Sequence, residues 1–407
     1  MNYYINEIKE IFKTGSISSY ENQPNIIRGF LHGDGKYYLI YEEKHADNFE
    51  DILHKIYDKE IEINKKITYD EFDGIILRNI LYHKSNNLSF NDDNIKKIFS
   101  DIYSQNVYNY SVFSDIYGIS LLDKNKIFNM STFNIYYWNI TKNNIKDRIN
   151  KECEYLFNDM KNEYLIETNI EASSPNKAME VANIQFEKWC YFMHVLIGYK
   201  HNKYFISNNN EKQVYNKLIF AITSGNLLTY NTDKNYTEPL IIDDISFTNN
   251  PRYIAIFNLF LNKNPCKFEQ KIILAIEWLG QAYKDSSMQN SFLKAAISLE
   301  ILFTHSEKEI ITPSIIHQIS ESIALILGKD YEDCIKIEKD IKYLYGKRSS
   351  IVHSGSSKIK YYELNNLLNY SGKIIFEFLI NYEYSNVKEI EELYSILKRK
   401  KYDKIIQ

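Results

Sequence analysis

The sequence predicts an α+β protein: a β-rich N-terminal region folded as an antiparallel sheet or sandwich, followed by a C-terminal all-α bundle. Two observations carry this. Up to about residue 170, apolar residues cluster in short β-branched and aromatic runs separated by turn residues. From about residue 268 they recur at spacings of three and four, the period of one helix face. The change of period divides the 407 residues into a β-rich sensor or regulatory domain (1–170), a mixed α/β connecting segment (171–265) and a helical bundle (266–407).

In order along the chain, IIRGFLHGDGKYYLIY (26–41) places two apolar runs around Gly-Asp-Gly, and glycine accepts the positive φ that a hairpin turn demands. Further strands are expected in FDGIILRNILYH (72–83), YSVFSDIYGISLL (110–122) and FNIYYWNI (133–140). Ser174-Pro175 then opens a helix whose stripe is Met179, Ala182, Phe186, Trp189, Met193 and Leu196, and Gly198 ends it. Prolines 238, 251 and 265 punctuate the connecting segment. In the bundle, Ile272, Ile276, Leu279 and Tyr283 mark the first helix, and Phe292, Ala295, Ala296, Leu299, Leu302 and Phe303 the second. Thr312-Pro313 opens the third, with Ile316, Ile319, Ile323 and Leu327, and Gly328 closes it. The fourth carries Cys334, Ile337, Ile341 and Leu344. The fifth carries Leu364, Leu367, Leu368, Ile374, Ile375 and Phe378, and a last helix starts near 386. Short connections make these helices antiparallel neighbours.

Composition narrows the function classes. A net charge of −4 argues against a chain that coats nucleic acid over its whole surface, while leaving room for a local basic patch. The four cysteines, Cys153, Cys190, Cys266 and Cys334, are too far apart for a zinc knuckle or a disulfide framework and read as thiols of a reducing compartment. No run of about 18 apolar residues exists, and the N-terminus lacks a signal-type apolar stretch, so a cytoplasmic protein with no membrane partner is expected. Motifs of the types GxGxxG, GxxxxGK[ST], GxSxG and HExxH are missing, and no cofactor or metal is expected.

One stretch carries chemistry: YGKRSSIVHSGSS (345–357), in which Arg348 precedes His353 by five residues. Spacing is weak evidence, because six arginines and nine histidines give roughly 0.4 chance matches to R-x4-to-6-H, and the chain holds a second one at Arg78 and His83. That second pair falls in an expected strand, where the two side chains point to opposite faces. Arg348 has the better context. The stripe 334, 337, 341, 344 continues onto 348, so a guanidinium falls where a core leucine belongs, and a buried arginine calls for a carboxylate or an anion. On a regular helix His353 stands about 7.5 Å further along and about 140° around. A helix break near Gly346 and Gly355 is expected to bring the two together.

Tyr345…Arg348-Ser349-Ser350-Ile351-Val352-His353, behind a helix reading AAISLEILF (295–303), resembles the HEPN domain, in particular its Apea-like branch of prokaryotic anti-phage defence proteins. The resemblance covers about the last third of the chain. It implies a helical bundle whose R-x4-to-6-H motif forms a metal-independent endoribonuclease site, composite across a homodimer. Arg348 and His353 are then the catalytic pair, and Glu300 matches an acidic position on the second helix. Tyr345 and Ser349 are the supporting residues beside the motif. Ser349 stands where many active members carry Asn, Asp or His, and Gly355 stands where the subgroup neutralised by nucleotidyltransferase antitoxins carries tyrosine.

The residues suit RNA cleavage. A neutral histidine can take the proton of the ribose 2′-hydroxyl, a protonated one can serve the leaving 5′-oxygen, and arginine offers a planar fork to the phosphate. The reaction leaves a 2′,3′-cyclic phosphate and makes DNA inert. Residues 336–360 hold seven basic and two acidic side chains, with Lys342, Lys347 and Lys358 as phosphate-binding candidates; a solvated helix face is the other reading of these lysines. His194 reads as a core histidine, and His32 and Asp34 as turn residues. The expected function is an endoribonuclease of anti-phage defence, restrained until the N-terminal region senses a phage or stress signal. The alternative is a non-catalytic module that dimerises or binds a nucleotide or RNA.

Overall fold

The computed structural model describes residues 2–19, 29–31, 37–40, 43–130, 132–140, 163–200, 203–208, 216–223, 226–234, 238–304, 315–354 and 358–406. The protein is α+β, and helices dominate. The chain divides into two compact units, one of residues 1–112 and 168–184, the other of 113–167 and 185–407. Among the described residues no helix is long and apolar enough to cross a membrane.

The first unit corrects the expectation of a β-rich N-terminus. It contains α1 (Asn2–Thr14), α2 (Glu43–Lys59), α3 (Ile61–Lys66), α4 (Tyr69–Ser85) and α5 (Asp92–Tyr103). Its described strands β1 (Ser16–Ser19), β2 (Gly29–Leu31) and β3 (Tyr37–Ile40) form one small antiparallel sheet in the order β1-β3-β2. The 26–41 hairpin is present, with Gly29 opposite Ile40 and Leu31 opposite Tyr38; its Gly-Asp-Gly turn, with His32 and Asp34, lies outside the described residues. The expected strand 72–83 is helix α4. Phe72, Ile76 and Ile80 follow one another at steps of four and are fully buried, so the helical period was present beneath the strand-like composition. Thr68 caps the helix through its side chain to the Glu71 amide at 3.2 Å, and the Glu71 carboxylate accepts from the Thr68 amide at 2.9 Å, a reciprocal capping box legible as T-x-x-E. In a chain with 35 tyrosines and isoleucine throughout, β-propensity is background and spacing is the signal.

The strand expectations at 110–122 and 133–140 hold in part, and the strands at 128–130 and 164–172 come in addition. β4 (Tyr108–Asp115), β6 (Phe128–Met130), β7 (Phe133–Tyr137) and β8 (Tyr164–Ala172) make a four-stranded sheet in the order β4-β8-β7-β6. β5 (Ile119–Ser120) pairs parallel with β11 (Leu240–Ile241), and β9 (Asn216–Thr223) and β10 (Asn226–Lys234) form a hairpin. Gly118, at φ +79°, lets the chain pass the Phe205 carbonyl: a Cβ there would sit 1.7 Å from that oxygen.

Helix α6 (Pro175–Ile197) starts at Ser174-Pro175 as expected and passes into a 3₁₀ turn at Gly198–Lys200. Ala182, Phe186, Trp189 and Met193 of its expected stripe are buried, while Met179 is exposed. Short α7 (Ile245–Thr248) and α8 (Pro251–Leu261) precede the bundle, which consists of α9 (Lys267–Lys284), α10 (Met288–Phe303), α11 (Ile315–Leu327), α12 (Tyr331–Ser354), α13 (Tyr361–Ile380) and α14 (Ile390–Ile406). Thr312-Pro313 and Gly355 lie outside the described residues. The bundle stripes are those of the sequence: Leu279, Leu299, Leu302 and Leu367 are fully buried, each stabilising by roughly 1.5–3 kcal/mol. Gly280 allows α9 to approach α6, since a Cβ there would lie 2.3 Å from the Tyr191 Cβ.

Candidate active site at Arg348

The site is built where α10 and α12 meet. On α12, Ile337, Ile341 and Leu344 face the core, and the step of four that predicts Arg348 on the same stripe places it there, 31% exposed. One turn earlier the Tyr345 hydroxyl donates to the Ala296 carbonyl of α10 at 3.1 Å. That bond fixes the register of the two helices, and one turn on from Ala296 is Glu300. Nη2 of Arg348 donates to Glu300 Oε2 at 3.2 Å. Nε lies 3.1 Å from Oε1, close enough for an ion pair but bent away from hydrogen-bonding geometry. Burial pushes the Glu300 carboxyl up, and the guanidinium opposes this. Burial likewise drives the Tyr345 phenol far above its ordinary range, with the Glu300 charge adding to the effect.

His353 is exposed near the end of the same helix. The expected break at Gly346 does not occur: α12 runs unbroken from Tyr331 to Ser354. Gly346 sits on the open face of the helix, where a Cβ would meet nothing within 4 Å, so it packs no backbone that would force a bend. Arg348 and His353 therefore keep the i, i+5 relation of a regular helix, about 7.5 Å along and about 140° around. Ser349 is half-buried between them.

The pair at Arg78 and His83 has the same relation, because it lies on α4 and not on a strand; the contrast drawn from strand geometry fails. The difference lies in burial and partners. Arg78 is exposed, and His83 is the half-buried member, its Nδ1 2.8 Å from the Asn79 carbonyl and its ring edge-on to Phe90 at 5.0 Å. Among the described residues, the arginine faces a carboxylate on a neighbouring helix in the Arg348 pair and not in the Arg78 pair.

Of the lysine candidates, Lys342 is exposed and paired with Glu338 one turn away, and Lys347 lies 3.5 Å from Glu363 and over the Tyr343 ring. Lys358 is exposed at the start of the segment before α13. Glu363 is the group the sequence reading missed. It is fully buried, accepts from the Lys360 amide at 2.7 Å and receives the Tyr343 hydroxyl. Burial alone would raise its carboxyl, but the Lys360 amide, the Tyr343 hydroxyl and Lys347 together hold it below its ordinary value. Its signal was the carboxylate three residues into a helix, ahead of Leu364 and Leu367. His194 is a core histidine as expected, its Nε2 2.9 Å from the Ile206 carbonyl. Among the described residues no group of three or more His, Cys, Asp or Glu is placed to hold a metal ion.

No family model matches the chain, and no curated protein or solved structure matches it.

Proposed function

We propose that the chain is a metal-independent endoribonuclease of the HEPN type, acting in the cytoplasm in anti-phage defence. The observation that carries the reading is a guanidinium at a core position of α12, held by Glu300 of α10, five residues before an exposed histidine. Glu300 orients the arginine and leaves part of its fork for a phosphate, whose growing negative charge the arginine stabilises during attack by the 2′-hydroxyl. His353 moves the proton. Because one helix sets the two side chains on different faces, a homodimer supplies the complete site, the histidine of one copy working with the arginine of the other. The N-terminal region restrains the site until a phage or stress signal arrives.

Total RNA incubated with the purified protein in EDTA gives fragments ending in 2′,3′-cyclic phosphate, while Arg348→Ala and His353→Ala proteins give none. The second reading, a module that binds nucleotide or RNA without cutting it, draws on Glu300, which already neutralises Arg348, and on Ser349. RNA retained intact by the wild-type protein would establish that reading instead.

A further inference from the structure

A cavity of about 480 Å³ opens in the second unit between α13, the 3₁₀ turn Gly198–Lys200 and the start of α8. In a chain of net charge −4 its wall holds three cations, Lys200, Arg252 and Lys373, and no carboxylate. Asn369, Lys373 and Phe376 stand at i, i+4 and i+7 of α13, so they share one face. The Arg252 guanidinium lies over the Phe376 ring, 4.7 Å from its centre. Stacking by its face steadies the side chain and keeps the N–H edge for an acceptor. Among the described residues neither Arg252 nor Lys373 has a carboxylate partner. The rest of the wall is mostly aliphatic, with Val195, Leu196, Leu240 and Leu368, and Tyr204 and Phe247 supply aromatic rings to the same space.

Arg252 and Lys373, with no carboxylate partner among the described residues, share this cavity with the rings of Tyr204 and Phe247, a lining that suits a ligand with both an anionic and a flat part. We propose that this cavity binds a nucleotide, with its phosphates on Arg252 and Lys373 and its base against Tyr204 and Phe247. The nucleotide arrives free or as one residue of an RNA strand. A cleft of this volume falls within the range of small-ligand sites, and stacking on aromatic rings suits any base. The site shares no residue with Arg348, His353 or Glu300, so it stands whether or not those residues cut RNA.

Calorimetric titration of the full-length protein with ATP, adenosine, inorganic phosphate and hexauridylate tests the assignment. ATP or hexauridylate should bind at least about tenfold more tightly than adenosine or phosphate, because only they offer both ends. Tighter ATP assigns the free nucleotide, and tighter hexauridylate the RNA strand. Arg252→Ala and Lys373→Ala should each weaken binding at least about tenfold, the loss expected for one charge-assisted contact, while Lys96→Ala, at an exposed lysine of α5, leaves it unchanged. Both substituted side chains are exposed, so melting temperatures should stay within a few degrees of wild type. Absence of binding by both nucleotide probes at millimolar concentration overturns the proposal, as does unchanged affinity in both variants or equal affinity for inorganic phosphate.

Discussion

Arg348 and Glu300 form a pair whose two members are 31% and 23% exposed, and a double-mutant cycle measures what that position does. At 3.1 Å the gross attraction of two unit charges is about 5 kcal/mol at an effective dielectric constant near 20. Most of it is offset by the lost hydration of both groups. Exposed pairs couple by roughly 0.2–1 kcal/mol, and stripping one partner from a fully buried pair costs roughly 3–5 kcal/mol, so a pair between these limits should couple by about 1–2 kcal/mol. Arg348→Met should be the most destabilising single change, because it leaves the carboxylate half-buried without its cation; Arg348→Met with Glu300→Gln should recover most of the loss. The pH dependence has a definite sign. Glu300 binds its proton more tightly in the folded chain than in the unfolded one, so its contribution favours folding in acid and is lost as pH rises through the folded pKa. Without Arg348 that shift grows, and the deficit of Arg348→Met relative to wild type should shrink between about pH 8 and about pH 4. Urea unfolding of the four proteins at both pH values measures the cycle. Additive single changes, with coupling below about 0.3 kcal/mol, would refute the claim that Glu300 holds the arginine.

Other outcomes test the remaining assignments. His353→Ala should change stability by less than about 0.5 kcal/mol and abolish RNA cleavage, whereas His83→Ala should cost about 1 kcal/mol through its lost ring contact and hydrogen bond and leave cleavage intact; equal activity loss in both would point to folding. Asp73, raised to about 6 by burial and by Asp70 and Glu50, contributes stability that is fully present below its unfolded pKa and lost as pH rises through about 6. Asp73→Asn should therefore stabilise the chain by roughly 1–2 kcal/mol at about pH 8, allowing for solvent screening, and not at about pH 4, as thermal melts at the two pH values will show. Glu363→Leu should destabilise by about 2–3 kcal/mol, since it strands the Lys360 amide, the Tyr343 hydroxyl and Lys347, and urea unfolding reads the loss. Light scattering of the full chain at micromolar concentration should give the mass of a dimer, and a monomer that still cleaves RNA would remove the composite site.

The sequence by itself determined the helical bundle. Its stripes repeat at three and four over five segments, and burial of one helix face is a local consequence of spacing, so Ile272 to Leu367 fell where their period put them. The same stripe placed Arg348 at a core position and called for a carboxylate or an anion; Glu300 was named only through the HEPN resemblance, and the packing of α10 on α12 supplies it. What misled was propensity. FDGIILRNILYH is rich in strand formers, yet its capping box and its steps of four decided for helix once the face formed by Phe72, Ile76 and Ile80 had a core to enter. The tertiary structure alone decided three further matters. It carried α12 unbroken through Gly346, because no neighbouring backbone presses on that glycine, and so kept Arg348 and His353 on different faces. It buried Glu363 with Tyr343 and Lys347, residues 16 to 20 positions away whose meeting depends on how α12 and α13 pack. It also brought Arg252 from α8 onto Phe376 of α13, more than a hundred residues on, and no period within either segment records that contact.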